Sequence, residues 1–217
     1  MEQVADWGWT LDFPRTRRSA LFAKRVLDVL VSATLLVVLA PLLLALAGAI
    51  RLSSRGPVIF VQRRIGYRCA DFGMYKFRTM VDGAERQEER LAGERADSTF
   101  LKIQHDPRVT PLGRALRRFS VDELPQLINV LRGDMSLLGP RPLLRSDLHR
   151  YPRASLMRRF AMKPGISGLW QVSGRSLLPD VDRIRLDIDY VDNWSFTRDL
   201  IILARTVPVV VTARGAV

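Results

Sequence analysis

Two adjacent carboxylates, Asp122 and Glu123, stand just before an apolar run of the sequence and have arginines on both sides. Arg117 and Arg118 precede the pair by about one helical turn, and Arg141 follows it between two prolines. Magnesium prefers one or two carboxylates completed by phosphate oxygens, and arginine suits phosphate because its donors form a planar fork. Phosphoryl transfer needs these parts: a nucleophile, a metal ion and cations that take up charge on phosphorus. Such a site is one interpretation of the pattern.

Helix capping is the alternative interpretation of the same residues. Ser120 followed three residues later by Glu123 is a capping-box pattern, and acidic side chains are favourable at a helix N-terminus. Pro125 fits a helix capped by Asp122 better than one capped by Ser120, because proline in the first turn removes no hydrogen bond. The residues by themselves leave capping and chemistry open.

An amphipathic helix is predicted directly after the acidic pair. Its apolar face would consist of Leu124, Leu127, Ile128 and Leu131, which follow the three- and four-residue spacing of a helix. Gly133 supplies a stop signal.

The rest of the chain predicts short elements around this helix. Residues 56–66 and 71–80 are rich in β-branched and aromatic residues, so they predict a β-hairpin. A charged surface segment is predicted over 82–98, and a turn with a short basic helix over 105–120. Residues 163–175 are glycine-rich and predict a loop that lacks the Gly-Lys-Ser/Thr of a phosphate-binding P-loop.

An apolar segment from Val29 to Ile50 runs for 22 residues without a charge, enough for a helix to cross a bilayer. Basic residues flank both of its ends, and under the positive-inside rule both ends then favour the cytoplasm. Pro41 lies near the middle, where proline breaks helical hydrogen bonding. The segment therefore predicts a re-entrant helical hairpin broken at Pro41, with a straight membrane-spanning helix as the alternative.

The overall charge predicts an anionic partner. Lys and Arg number 34 against 22 Asp and Glu, for a net charge of +12, which suits nucleic acid, acidic phospholipid or a phosphorylated small molecule. Few aromatic residues interleave with the basic runs, and no helix-turn-helix or zinc-ligand pattern is present. The single cysteine, Cys69, excludes an internal disulfide.

Several other residues are weaker candidates. Asp187 and Asp189 form a D-x-D pattern that could hold a metal-bound nucleotide, but such pairs are common by chance. His105 is interpreted as a turn residue beside proline, and Trp170 as a core residue. The C-terminal stretch 198–214 fits either a membrane-interface helix or an ordinary packed element.

Several longer motifs occur in a fixed order: KRVLD (24–28), YKFRTM (75–80), the block 106–142, KPGISGLWQVSGR (163–175) and YVDNWSFTRDLIIL (190–203). Over about Lys24 to Ala213 the sequence resembles the bacterial sugar transferase family, the monotopic polyprenol-phosphate phosphoglycosyl transferases. The resemblance implies that a phosphosugar passes from a nucleotide diphosphate sugar, usually a uridine one, to polyprenol phosphate, which initiates surface glycan assembly.

The resemblance also assigns roles to residues. It implies that Asp122 is the nucleophile and forms a covalent aspartyl-phosphosugar, while Glu123 is its partner and both hold Mg²⁺. The implied substrate- and phosphate-binding residues are Arg117, Arg141, Lys76, Arg78, Gln171 and Arg175. The chain departs from the family pattern at Ala40, where serine usually precedes Pro41, and at Cys69, where glycine is expected.

The expected architecture is mainly α with a small β-hairpin and interfacial amphipathic helices. It comprises an N-terminal leader (1–23) with Trp7, Trp9 and Phe13 as interface anchors, a membrane-inserted re-entrant helix (24–52) and a catalytic domain (53–217). The resemblance is to the minimal form of the family, on the cytoplasmic face of the bacterial inner membrane, in contact with anionic phospholipid and open to homo-oligomerisation. The alternatives are a non-catalytic membrane-anchored scaffold and a membrane-tethered nucleic-acid-binding protein.

Overall fold

The computed structural model describes residues 15–84, 106–150 and 153–212. Within them the α-helices are α1 (Arg15–Val38), α2 (Ala40–Ser53), α3 (Pro111–Arg118), α4 (Gln126–Arg132), α5 (Arg153–Arg159), α6 (Leu169–Ser173), α7 (Asp180–Asp192) and α8 (Phe196–Val211). The strands are β1 (Ile59–Ile65), β2 (Asp71–Phe77), β3 (Ser136–Leu138) and β4 (Gly165–Ser167). The prediction of a mainly helical fold with a small hairpin is confirmed. The predictions for Trp7, Trp9, Phe13, His105 and residues 85–98 lie outside the described residues.

The N-terminal apolar segment forms two helices that meet at Leu39 with a bend of 63°. Pro41 lies in the first turn of α2, where its missing N–H costs no hydrogen bond. The predicted break is therefore confirmed, two residues before the proline. No single helix in the described ranges is both long and apolar enough to cross a bilayer, whereas α1 and α2 together meet that test as a bent pair that could be a re-entrant loop.

Buried hydrogen bonds and an ion pair attach the first half of α1 to the rest of the protein. Lys24 donates to the Asp199 carboxylate at 2.8 Å and to the Leu138 carbonyl at 2.9 Å. One turn later, Asp28 accepts hydrogen bonds from the Ser136 hydroxyl and the Leu137 backbone N–H. The predicted boundary between leader and membrane helix at residues 23 and 24 thus falls inside α1, where the helix packs on β3 and α8.

Strands β1 and β2 pair antiparallel, as predicted, from Ile59 opposite Phe77 to Ile65 opposite Asp71. The connecting loop holds Arg68 and Cys69 at φ of 53° and 60°, in the left-handed region that favours glycine. Glycine is thus the expected residue at position 69 for a local backbone reason.

Helix α4 confirms the predicted stop, because Gly133 closes it at φ 90°. Its predicted apolar face is partly wrong: Ile128 is 43% exposed, whereas Val130 and Asn129 are fully buried. Asn129 accepts from the Tyr75 N–H at 3.0 Å and donates to the Gly73 carbonyl at 2.7 Å, so it satisfies backbone groups of β2. These bonds turn the helix so that a polar residue faces inward.

The glycine-rich segment 163–175 is not a loop, which corrects the prediction. It contains β4, which pairs parallel with β3, and the short helix α6. A Cβ atom on Gly165 would lie 2.1 Å from the backbone nitrogen of Gly139, so the two segments approach too closely for a side chain. The glycines allow close packing of two backbones in the centre of the fold.

Replacing Lys24 with methionine should lower the free energy of unfolding by about 3–5 kcal/mol, because Asp199 would remain buried without its cation. Asp199 would keep only its hydrogen bonds from Tyr190 and Trp194. The measurement is chemical denaturation of the purified protein in detergent. The control is Arg185→Gln, which removes an exposed ion pair with Asp182 and should cost less than about 1 kcal/mol. Equal losses in both variants would contradict the anchoring role.

Candidate active site

The acidic pair lies in a 3₁₀ turn, Val121–Glu123, that leads into α4. Ser120 occupies the N-cap position of this 3₁₀ turn and Pro125 that of α4, but neither position has a side-chain cap hydrogen bond, so both capping interpretations are wrong. Ser120 has a left-handed backbone (φ 56°), and its hydroxyl accepts instead from Arg175 at 2.6 Å. The carboxylates are therefore not used for capping.

Asp122 is 8% exposed, and no described residue donates a hydrogen bond to its carboxylate. Burial raises the pKa of Asp122, and the neighbouring Glu123 charge raises it further, while Lys76, Arg117 and Arg141 act in the opposite direction. A carboxylate without donors but close to three cations keeps its oxygens available to a ligand or metal ion.

Glu123 has the opposite environment. Its Oε1 accepts from Lys76 Nζ at 3.2 Å and from Arg141 Nη2 at 3.0 Å. Burial raises the pKa of Glu123, but the charges of Arg141 and Lys76 outweigh it and bring the pKa down to about 2. Glu123 is thus a fixed anion that holds two cations beside Asp122.

Arg117 reaches the site from the last turn of α3. Its Nε donates to the Thr79 hydroxyl at 2.9 Å. The helix is capped by Thr110, whose hydroxyl accepts from the Gly113 N–H. A Cβ atom on Gly113 would lie 2.0 Å from the Thr79 carbonyl oxygen, so α3 packs directly on the chain after β2. Burial lowers the pKa of Arg117, and the Asp122 charge partly offsets this.

The remaining predicted site residues form no hydrogen bond with the acidic pair in the described part of the chain. Arg78 donates through Nη2 to the carbonyl and hydroxyl of Ser54, after α2. Its Nε and Nη1, Arg175 Nη1 and both amide atoms of Gln171 are buried without a hydrogen-bond partner in the part of the chain that the structure describes. The structure thus places Lys76, Arg117 and Arg141 around the acids, attaches Arg175 to the same turn, and fixes Arg78 at the base of the helical hairpin.

One cavity of about 1520 Å³ is lined by the acidic pair and by all six predicted substrate- and phosphate-binding residues. Trp170 also lines it, with the guanidinium carbons of Arg141 and Arg183 at 5.9 and 5.4 Å from its ring centroid. The assignment of Trp170 to the core is therefore corrected. The lining also includes apolar side chains of α1, α2, α8 and the break between α1 and α2: Leu35, Leu39, Leu42, Leu203, Val207 and Val210. Charged and apolar side chains thus line a single space.

The D-x-D residues do not form a common site. Asp187 is buried against Arg159 at 2.7 Å, whereas Asp189 pairs with Arg198 on α8. Sequence reasoning also missed Thr79 and Arg183. Thr79 lies inside the YKFRTM motif and could have been singled out there, while no sequence signal marks Arg183.

Asp122 and Glu123 fit a magnesium ion only with outside ligands. The described residues contain no group of three or more acidic, cysteine or histidine side chains that could hold a metal. Magnesium keeps several waters and commonly binds one or two carboxylates together with substrate phosphates. The unpaired, buried carboxylate of Asp122 suits this role, with Glu123 as its neighbour.

Asp122→Asn should stabilise the folded protein near neutral pH and raise its Tm by about 2–4 °C, which corresponds to about 1 kcal/mol for a chain of this size. Folding raises the pKa of Asp122 above 3.8, so between the unfolded and the folded pKa the folded chain holds a proton that the unfolded chain has released. The free energy of unfolding therefore falls as the pH rises through this range. The advantage of asparagine should therefore shrink towards about pH 4. Thermal unfolding across pH measures it.

The control for this variant is Asp182→Asn, which removes a carboxylate that is about half exposed. It should leave Tm unchanged at each pH. A lower Tm for Asp122→Asn near neutral pH would show that its charge stabilises the fold.

Comparison with known proteins agrees with the geometry. A profile of the family described as Bacterial sugar transferase matches residues 19–213. A protein of Caulobacter vibrioides named UDP-glucose:undecaprenyl-phosphate glucose-1-phosphate transferase is 43% identical over 94% of this chain and 75% of its own length. The exopolysaccharide production protein ExoY of Sinorhizobium fredii is 40% identical over 89% of this chain and 88% of its own.

A third relative, the undecaprenyl-phosphate galactose phosphotransferase of Salmonella typhimurium, is 41% identical over 92% of this chain but only 43% of its own length. This chain therefore corresponds to less than half of that longer protein. The chain belongs to the bacterial sugar transferase family, and the prediction that it is a sugar-phosphate transferase is confirmed.

Proposed function

We propose that the protein transfers a sugar phosphate from a nucleotide diphosphate sugar, with uridine as the base, to polyprenol phosphate in the first step of a surface polysaccharide. The observation that carries this proposal is the buried Asp122 carboxylate, which lacks hydrogen-bond donors among the described residues and faces three cations. The cavity supports it as well, because charged side chains and apolar side chains of the bent helix pair line the same space.

In the first step, an Asp122 oxygen attacks the phosphorus that carries the sugar. The bond from that phosphorus to the bridging oxygen breaks, and nucleoside monophosphate leaves with the electron pair. In the second step, a phosphate oxygen of polyprenol phosphate attacks the same phosphorus, and the bond to Asp122 breaks. The product is polyprenol diphosphate sugar, and the carboxylate is regenerated. A carboxylate is a competent nucleophile when cations neutralise the approaching anion.

Several basic residues around the cavity together neutralise the negative charge of the substrate. Lys76 and Arg141 are held by Glu123, and Arg117 by Thr79, so three cations are fixed before substrate arrives. Such preorganised charge stabilises the transition state without reorganisation during the reaction. We assign phosphate or sugar contacts to the unpaired donors of Arg78, Gln171 and Arg175 as well.

Magnesium would be held by Asp122 and Glu123. When bound, the ion would offset the charge of the diphosphate. The protein itself supplies the nucleophile, the fixed cations and the shape of the cavity.

Apolar surface supports attachment to a membrane. Residues more than 60% exposed on α1, α2 and α8 include Phe22, Leu30, Val37, Val38, Leu44, Leu52, Val207 and Val211. Exposed apolar side chains at this density mark an interaction surface. We propose that the bent pair α1–α2 is re-entrant and that α8 lies at the interface. Basic residues would then contact anionic phospholipid on the cytoplasmic face of the bacterial inner membrane.

Nucleoside monophosphate release tests the proposed reaction. Purified protein with polyprenol phosphate and magnesium should release uridine monophosphate from one of several uridine diphosphate sugars, with glucose and galactose forms in the panel. Asp122→Asn should release at least about 1,000-fold less, because the nucleophile is lost. Chelation by EDTA should also abolish release, and added magnesium should restore it.

Asp182→Asn is the matched control, because it removes another acid outside the cavity and should keep full activity. If folded protein released no monophosphate with any donor, the transferase proposal would fail and the scaffold interpretation would stand. Equal activity of Asp122→Asn and the unaltered protein would contradict the role of Asp122.

A further inference from the structure

A buried ion pair that has no role in the proposed chemistry contacts the backbone of Arg141. Arg159 Nη2 donates to the Arg141 carbonyl oxygen at 2.8 Å and lies 2.7 Å from Asp187 Oδ2. The side chains of Arg159 and Asp187 are only 4% and 2% exposed. Both sides of this contact are therefore shielded from water.

Asp187 stabilises the same contact through Arg159. Burial raises the pKa of Asp187 to about 6, while the charge of Arg159 and the Arg141 backbone N–H oppose this rise. The ion pair thus reaches the Arg141 backbone at its carbonyl oxygen, through Arg159 Nη2. Prolines on both sides of Arg141 restrict its backbone further.

Two helices converge on this residue. Arg159 is the last residue of α5 and Asp187 lies in the middle of α7, while the Arg141 guanidinium contacts Glu123 at 3.0 Å and the ring of Trp170. A buried ion pair is costly in desolvation, and packed apolar residues of similar size are often as stable. The ion pair between Arg159 and Asp187 is therefore better explained by a role in orienting Arg141 than by a contribution to stability.

We propose that Asp187 and Arg159 are positioning residues that hold Arg141 so that its guanidinium stays beside Glu123 and the transferring phosphate. This inference rests on the proposed function. Arginine has a long side chain with several torsions, and misplacement of a catalytic group by about 1 Å can cost about 100-fold in rate. Holding the Arg141 carbonyl through Arg159, between two prolines, reduces that freedom at the backbone.

The first test is the turnover of Asp187→Asn, which keeps the size of the side chain and removes its charge. We expect kcat to fall by about 10- to 100-fold. The matched control is Asp189→Asn, on the same helix but 41% exposed, which should leave kcat unchanged. Arg159→Lys is a second variant, because it keeps the charge but lacks the planar guanidinium whose Nη2 contacts both Asp187 and Arg141.

A double-mutant cycle separates positioning from general stability. If Asp187 acts through Arg141, Asp187→Asn should have little further effect on kcat in an Arg141→Lys background. An equal fold-loss in both backgrounds would overturn the proposal, as would unchanged kcat in folded Asp187→Asn and Arg159→Lys.

Chemical modification of Arg141 gives a readout that does not depend on activity. Phenylglyoxal labelling followed by peptide mass mapping should be several-fold faster at Arg141 in Asp187→Asn than in Asp189→Asn. Equal labelling rates would contradict the positioning role. If the unaltered protein proves inactive with every donor while labelling still differs between the two variants, the proposed function fails and the structural role of the pair remains.

Discussion

The ionised carboxylate of Glu123 is the constraint on which the site depends. It binds Lys76 and Arg141 through one oxygen, and their charges keep its pKa near 2 despite burial. Because Glu123 takes these hydrogen bonds, the adjacent Asp122 is left with cations nearby but with no donor among the described residues. Two neighbouring acids thus have different environments: one organises charge, and the other is free to react.

The surrounding elements maintain the different environments of Asp122 and Glu123. The hairpin carries Lys76, α3 carries Arg117, and the chain after β3 carries Arg141, so each cation arrives from a separate element. Close backbone contacts at Gly113, Gly139 and Gly165 set these elements at fixed distances. The bent helices α1 and α2 contribute apolar side chains to the same cavity, and Lys24 and Asp28 fix α1 to the domain by buried polar contacts. In the proposed reaction, a soluble donor and a lipid acceptor would meet at one carboxylate in this cavity.

Local patterns in the sequence were sufficient to predict the hairpin, the break near Pro41 and the end of α4, because each of these features depends on neighbouring residues. They also singled out the acidic pair and its arginines by charge. The inward face of α4 was predicted wrongly, since Asn129 bonds to a strand more than 50 residues away. Strand β4 was missed because its glycines serve a contact with distant backbone. Trp170 belongs to the site only through its contacts with Arg141 and Arg183, which sequence spacing does not encode.

The role of Asp122 as nucleophile is tested most directly by the mass of the protein after incubation with a uridine diphosphate sugar in the absence of polyprenol phosphate. We expect a mass increase of one sugar phosphate, mapped to Asp122 in peptides prepared under acid conditions and discharged when polyprenol phosphate is added. Asp122→Asn should show no increase. An adduct on another residue, or monophosphate release at full rate with no adduct in rapidly quenched samples, would contradict the claim that Asp122 is the nucleophile.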